Sequence, residues 1–155
     1  MSDATVVVEL VDGGRGVRLV SAGPVTGEAF VQVHEAVLDA EPGSLEAVRY
    51  WFSDHSRLDA VNLYGADAAA VSDVGRRLRE RMPDLVIVNM AFGDLEFGIL
   101  RMWEAFSADH GWPSAIVRRT EEVRPALKAL LGEAADPLTS DVLRTLARFP
   151  PTPQA

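Results

Sequence analysis

The residue types best suited to chemistry stand together at Asp54-His55-Ser56, since a carboxylate, an imidazole and a hydroxyl make up a hydrolytic triad. A working triad is assembled in space, with an oxyanion hole and a base oriented by a third group. Three consecutive residues cannot point at one another in that way, and the sequence has no G-x-S-x-G elbow. We therefore interpret the three as polar turn residues beyond a strand end and predict no catalytic residues. A hydrolytic enzyme is the least favoured of three hypotheses on function.

Metal and thiol chemistry gain no support from the other candidate residues. The chain has no cysteine, which removes thiol nucleophiles, disulfides and cysteine-ligated metals. His55 with Asp59 or His110 matches no ligand spacing. His34 falls on the apolar stripe of a predicted helix, where a histidine at the edge of the core is the expected role. We predict neither a bound metal nor a cofactor.

The charge of the chain bears on its partners. Its 155 residues carry 15 basic and 23 acidic side chains, a net charge of -8, which argues against nucleic-acid binding. Residues 1–75 hold 12 acidic and 4 basic residues, whereas residues 76–155 hold 11 of each. A protein partner with a basic surface would complement the acidic half. The arginines of residues 76–81 are interpreted as the solvated face of an amphipathic helix.

The pattern of apolar residues predicts the order β-β-α-β-α-β-α-β-α. Glycines in residues 12–16 favour a tight hairpin between the first two strands, and Thr26 is a predicted helix N-cap. Ser21 to Pro24 is interpreted as a linker, and Asp54 to Gly65 as a polar segment after the third strand. The predicted fold is α/β: a largely parallel mixed sheet of about five strands, with an N-terminal hairpin and helices packed on the sheet. The predicted strands are 5–11, 17–20, 47–53, 85–92 and 114–117, and the predicted helices are 26–40, 66–82, 94–110 and 120–132.

The domain prediction divides the chain at residue 132. Residues 1–132 form the α/β domain, and residues 133–155 form an extension with a short amphipathic helix and a proline-rich end. If the domain leaves the apolar stripe of that helix uncovered, a homodimer through it is the common solution. The stripe consists of Leu138, Val142, Leu146 and Phe149.

No segment has the length of a membrane span or the pattern of a signal peptide, so a cytoplasmic location is expected.

The segment Asp94–Phe106 carries the most specific motif in the sequence. It resembles the D-x-x-F-G-x-x-R-M-[FWY]-x-A stretch of small bacterial STAS-like proteins, a SpoIIAA-like group related in fold to CRAL-TRIO lipid-transfer domains. Residues 120–122, Thr-Glu-Glu, resemble the ending of the same group. The resemblance covers residues 5–131 and implies a STAS-like fold. It makes Asp94 and Arg101 candidate polar contacts, although Arg101 could also pair with Glu104.

The hydrophobic spacing predicts how this helix faces the sheet. Leu95, Ile99, Met102, Trp103 and Phe106 are predicted to point inward, with Gly98 allowing close approach to the sheet.

Signalling STAS domains carry a phosphorylatable hydroxyl in a D-S-[ST]-G motif between a central strand and a helix. The matching place here reads Ser53-Asp54-His55-Ser56-Arg57, without the adjacent hydroxyls or the glycine. The resemblance thus makes Ser56, or Ser53, a candidate phospho-switch.

Two non-catalytic functions follow. The first is a regulatory or protein-interaction module of the STAS-like kind. The alternative is a carrier or sensor of a small apolar or lipid-like ligand, because Tyr50, Trp51, Phe52 and Tyr64 gather near a strand end, where α/β sheets place ligands.

Overall fold

The computed structural model describes residues 5–41, 43–62, 65–106 and 111–151. This part of the chain forms five strands and five α-helices in the order β-β-α-β-α-β-α-β-α-α, with short 3-10 turns at residues 12–14, 120–122 and 132–134. The strands are β1 (Thr5–Val11), β2 (Gly16–Thr26), β3 (Tyr50–Asn62), β4 (Val86–Met90) and β5 (Ser114–Val117). The helices are α1 (Gly27–Leu38), α2 (Gly65–Arg81), α3 (Asp94–Phe106), α4 (Val123–Leu131) and α5 (Ala135–Arg148).

The strands lie in the sheet in their chain order. β1 and β2 are antiparallel, whereas β2 to β5 run parallel to one another. Asp12, Gly13 and Gly14 close the hairpin with φ angles of 55°, 63° and 89°, the left-handed conformation that glycine adopts without strain. The predicted α/β class, the mixed sheet and the N-terminal hairpin are therefore confirmed.

β2 and β3 are much longer than the sequence suggested. The two strands pair in parallel out to Thr26 and Asn62, with register shifts near Ser21 and Gly23. The predicted linker at Ser21–Pro24 is therefore wrong, since it lies inside β2, and so is the polar segment after residue 53. Ser21, Asp54, His55 and Ser56 are accommodated in the buried strands because they are hydrogen-bonded, Ser21 to His55 between the strands and Ser56 to Asp54 within β3.

Strand alternation divides the core into two clusters. Trp51 points to the face covered by α1 and α2, while Tyr50 and Phe52 point to the face covered by α4 and α5. This division is the one that the alternation of residues 50–53 predicts. Residue 16 must be glycine, because a Cβ at this position would overlap the ring of Tyr50.

α5 is part of the core and covers one face of the sheet. Val142 and Leu146 are buried, and Leu138 and Phe149 pack against the same cluster. Tyr50 Oη and Thr145 Oγ1 lie 2.6 Å apart, which connects α5 to β3. The apolar stripe is thus covered within the chain, and this removes the reason for expecting a dimer through it.

The face that α3 presents to the sheet differs in part from the one predicted, although Ile99 points inward as predicted. Leu95 and Met102 are 54% and 42% exposed, while Leu100 is buried. Gly98 faces open space, so it does not allow a close approach to the sheet. The predicted inward side chains of Trp103 and Phe106 lie outside the described part of the structure. The stripe was misplaced because the inner face of α3 includes two glutamates, which border a cavity.

The arginines of α2 do not all point into solvent. Arg76 and Arg77 are exposed, as predicted. Arg79 instead donates to the carbonyl of Gly111, and Arg81 donates to the carbonyls at the end of α1, which corrects the solvated-face interpretation for both.

Among the described helices, none has the length and apolar character needed to cross a membrane.

Candidate functional site

A cavity of about 150 Å³ lies between one face of the sheet and the helices α1, α2 and α3. A cavity of about this volume holds one benzene ring when its walls are apolar. Its wall is mostly hydrophobic, with polar groups at a few positions. The apolar wall includes Leu19, Phe30, Trp51, Leu58, Val71, Ile87, Ile99, Leu100 and Trp112; the polar wall includes His34, Ser53, His55, Ser72, Asn89, Glu96, Glu104 and Ser114.

Two stacked rings lie in the wall of the cavity. The His34 imidazole on α1 and the Trp51 indole on β3 have centroids 5.2 Å apart and are inclined by 13°. His34 Nδ1 donates to the carbonyl of Phe30 at 2.7 Å, which fixes the position of the ring. Burial lowers the pKa of His34, so that its neutral form is favoured. Because each ring covers one face of the other, a planar ligand could stack only on an outer face of the pair.

His55 lies on the floor of the cavity and is 6% exposed. Its Nδ1 lies 2.7 Å from the hydroxyl oxygen of Ser21 on β2, and its ring meets Phe30 edge-on with centroids 6.0 Å apart. Loss of hydration on burial lowers the pKa of His55 to about 4, although the charge of Asp54 opposes the shift. The imidazole is therefore neutral near pH 7.

Ser53 and Asn89 occupy paired positions on β3 and β4, at the floor of the cavity. The Ser53 hydroxyl accepts a hydrogen bond from Trp51 Nε1 at 3.0 Å. Asn89 is half-buried, and its side-chain amide has no hydrogen bond to any residue that the structure describes. Glu96, in the first turn of α3, likewise has a carboxylate without a hydrogen-bond or ion-pair partner within the described ranges. One end of the cavity therefore offers two polar groups with unused bonding capacity.

The groups at the other end of the cavity are already paired. Glu104, two turns further along α3, accepts hydrogen bonds from Ser114 Oγ at 3.1 Å and from Arg101 at 3.3 Å. The pairing of Arg101 with Glu104 expected from their spacing is confirmed. Trp112 Nε1 donates to the carbonyl of Met82 at 2.7 Å, which fixes the segment before β5.

The structure separates the residues of the sequence-predicted site. Trp51, Ser53 and His55 line the cavity. Asp54 and Ser56 alternate with them along β3, so they lie on its opposite face and do not line the cavity. Asp94 and Arg101 are exposed on α3, where Asp94 pairs with Arg118. Tyr64, the remaining predicted contact, and His110, a candidate metal ligand, lie outside the described residues.

The interpretation of residues 54–56 as polar turn residues beyond a strand end is wrong. Asp54 and Ser56 are each 3% exposed inside β3, and the amide of Ser56 donates to Asp54 Oδ1 at 2.9 Å. His55 Nδ1 lies within hydrogen-bond distance of Ser21 on β2, a residue outside the proposed triad. Ser53 is 5% exposed, so a kinase could reach neither candidate hydroxyl without local unfolding of β3. Both candidate serines therefore lie inside a strand and not after its end, and phosphorylation at either one stays a prediction.

Several cavity residues escaped the sequence analysis. Asn89 carried a usable signal, because it is the single polar residue in the otherwise apolar segment 85–92. Glu96 and Glu104 are eight residues apart and share one helix face, but they read as ordinary surface charges on α3. No group of three or more metal-ligating side chains occurs within the described part of the chain.

Comparison with solved structures finds a likeness to an uncharacterised protein. A solved structure of an uncharacterised protein of the DUF3478 family from Shewanella loihica PV-4, described as having a SpoIIAA-like fold, is 16% identical to this chain. The match covers 84% of this chain and 98% of that chain, with a TM-score of 0.49. No family model and no curated protein match the chain.

Proposed function

We propose that this domain is a non-catalytic carrier or sensor that binds one small, ring-sized molecule between its sheet and α1, α2 and α3. The observation that carries the proposal is the apolar cavity of about 150 Å³. A ligand in this cavity would remove apolar wall from water and gain van der Waals contacts with it, and both effects favour binding.

The chemistry of the wall supports a planar ligand. Trp51 and His34 are held parallel, and their hydrogen bonds restrict both rings. Since the pKa values of both histidines on the wall are lowered, neither ring brings a positive charge into the cavity near pH 7. A neutral aromatic ring could therefore stack without displacing hydrated ions.

A titration with benzyl alcohol tests the proposal. Its ring matches the cavity volume, and its hydroxyl can bond to the polar floor. We expect saturable shifts of the Trp51 and Trp112 indole N–H signals in NMR spectra, assigned with Trp51→Phe. Signals from α5, on the other face of the sheet, should remain in place. Shifts that do not saturate, or that spread evenly over both faces, would overturn the proposal.

A variant that fills the cavity supplies the control. Gly75 of α2 lines the cavity, and a Cβ at this position would meet no atom within 4 Å. Gly75→Leu should therefore place its side chain in the cavity and reduce benzyl alcohol binding at least tenfold. Gly98→Leu adds the same side chain on the exposed face of α3 and should leave binding unchanged.

A regulatory role would require that ligand binding alters a surface which a protein partner recognises. α3 is suited to this, because its inner face borders the cavity while Leu95 and Met102 are exposed on its outer face. Slower amide hydrogen exchange in α3 on benzyl alcohol binding would support this regulatory form of the proposal. Unchanged exchange throughout α3 would favour a simple carrier.

A further inference from the structure

We infer that the ligand carries a positively charged amine beside its ring, and that Glu96 and Asn89 bind this amine. The inference deepens the proposed function and rests on it. It concerns the end of the cavity where β4 leads into α3, so that the ring would lie along Trp51 and the ammonium group would point towards α3.

The charges on the wall favour a cation. The ionisable side chains on the described wall are Glu96, Glu104, His34 and His55, and no lysine or arginine is among them. Both imidazoles are neutral near pH 7 for the reasons given above. Arg101 pairs with Glu104 from the outer surface, where its side chain is 66% exposed. The wall thus has carboxylates but no cation to receive an acidic ligand, so a fatty acid, a phosphate ester or an aromatic acid would be buried unpaired.

Unused bonding capacity places the amine at one end of the cavity. Glu104 is already bonded to Ser114 and Arg101, whereas the Glu96 carboxylate has no partner among the described residues. Gly93 leaves room for this carboxylate, because a Cβ at residue 93 would collide with Glu96 Oε2. The side-chain oxygen of Asn89, on the adjoining strand, can accept a second hydrogen bond. An ammonium group has three donors and no acceptor, so it would satisfy both oxygens.

Three ligands of nearly equal size separate the possibilities. Benzylamine, benzyl alcohol and benzoate share a ring and differ in the charge of one substituent. Calorimetric titration at pH 7 and low salt should show benzylamine binding at least about tenfold more tightly than benzyl alcohol, as charge-assisted hydrogen bonds are the stronger class. Benzoate should bind more weakly than either.

Glu96→Gln tests the assigned residue, because it removes the charge and keeps the size of the side chain. We expect its affinity for benzylamine to fall about tenfold, to the level of benzyl alcohol, while its affinity for benzyl alcohol stays within about twofold. Glu80→Gln, an exposed glutamate on α2, is the matched control and should change neither affinity. A carboxylate in the first turn also stabilises a helix N-terminus, so thermal unfolding of both variants is measured in parallel.

The outcomes distinguish the inference from the function on which it rests. If benzyl alcohol saturates the cavity but benzylamine binds no more tightly, or if Glu96→Gln leaves the benzylamine affinity unchanged, the amine assignment is wrong and the cavity proposal survives. If none of the three molecules binds to the unmodified chain, the proposed function fails and the inference fails with it.

Discussion

Ser21 Oγ and His55 Nδ1 lie 2.7 Å apart, joining β2 and β3 in the interior of the fold. The two residues are 34 positions apart in the chain, and each stands at a place where the local sequence reads as a loop. Their contact allows these two polar residues to lie inside buried strands, because each finds its hydrogen-bond partner in the neighbouring strand. The same contact places a neutral imidazole on the floor of the cavity.

The burial of His55 predicts that stability falls in mild acid. The folded-state pKa of about 4 lies below the unfolded value of 6.5, so the unfolded chain binds a proton first. The contribution of His55 is fully present above pH 6.5 and is lost as the pH falls towards 4. At about 1.36 kcal/mol per pH unit, the loss amounts to roughly 3 kcal/mol. Urea unfolding of the unmodified chain and of His55→Gln between pH 7 and 4 should show a shallower dependence in the variant. Equal slopes in both proteins would contradict the prediction.

The strands show what could be predicted from the sequence and what could not. The segment around β4 and the hairpin at residues 12–16 were predicted correctly, because a continuous apolar run and paired glycines are local signals. Ser21 and His55 were missed because a polar residue in a buried strand depends on a partner far away in the chain. The rotation of α3 was missed for a related reason, since Glu96 faces a cavity that the sequence pattern does not represent.

Gly16 and Gly98 should respond oppositely to alanine. A Cβ at Gly16 would overlap the Tyr50 ring, which is buried and cannot swing away, so Gly16→Ala should destabilise the fold by about 1–3 kcal/mol. Gly98 faces open space inside a helix, so Gly98→Ala should stabilise the chain by about 0.5–1 kcal/mol. Chemical denaturation of the two variants measures both values. Destabilisation by Gly98→Ala would show that this position is closely packed after all.

The contact between Tyr50 and Thr145 tests whether residues 133–155 are a separate extension. Both side chains are buried, and their oxygens are 2.6 Å apart. Tyr50→Phe should cost about 1 kcal/mol or more in unfolding free energy, since the Thr145 hydroxyl loses its partner. In a double-mutant cycle with Thr145→Val, the two effects should not add. Additive effects would instead indicate that α5 and the sheet are energetically independent.

Ser53 and Asn89 are paired across β3 and β4, yet their removal should have opposite effects on stability. Ser53→Ala leaves the buried Trp51 Nε1 without its acceptor, which should destabilise the empty domain by about 1–3 kcal/mol. Asn89→Leu removes an amide that has no hydrogen bond within the described residues, and it adds apolar surface to an apolar wall. We expect it to stabilise the empty domain by about 1 kcal/mol.

Ligand binding completes this comparison. Asn89→Leu should weaken benzylamine binding because the ammonium group loses one of its two acceptors, so a gain in stability would accompany a loss of affinity. Thermal unfolding and calorimetric titration of the same samples measure the two effects together. If Asn89→Leu destabilised the empty domain as much as Ser53→Ala does, Asn89 would be a structural residue of the sheet. If Asn89→Leu makes the empty domain more stable, ligand binding is the better explanation for the unbonded side-chain amide of Asn89.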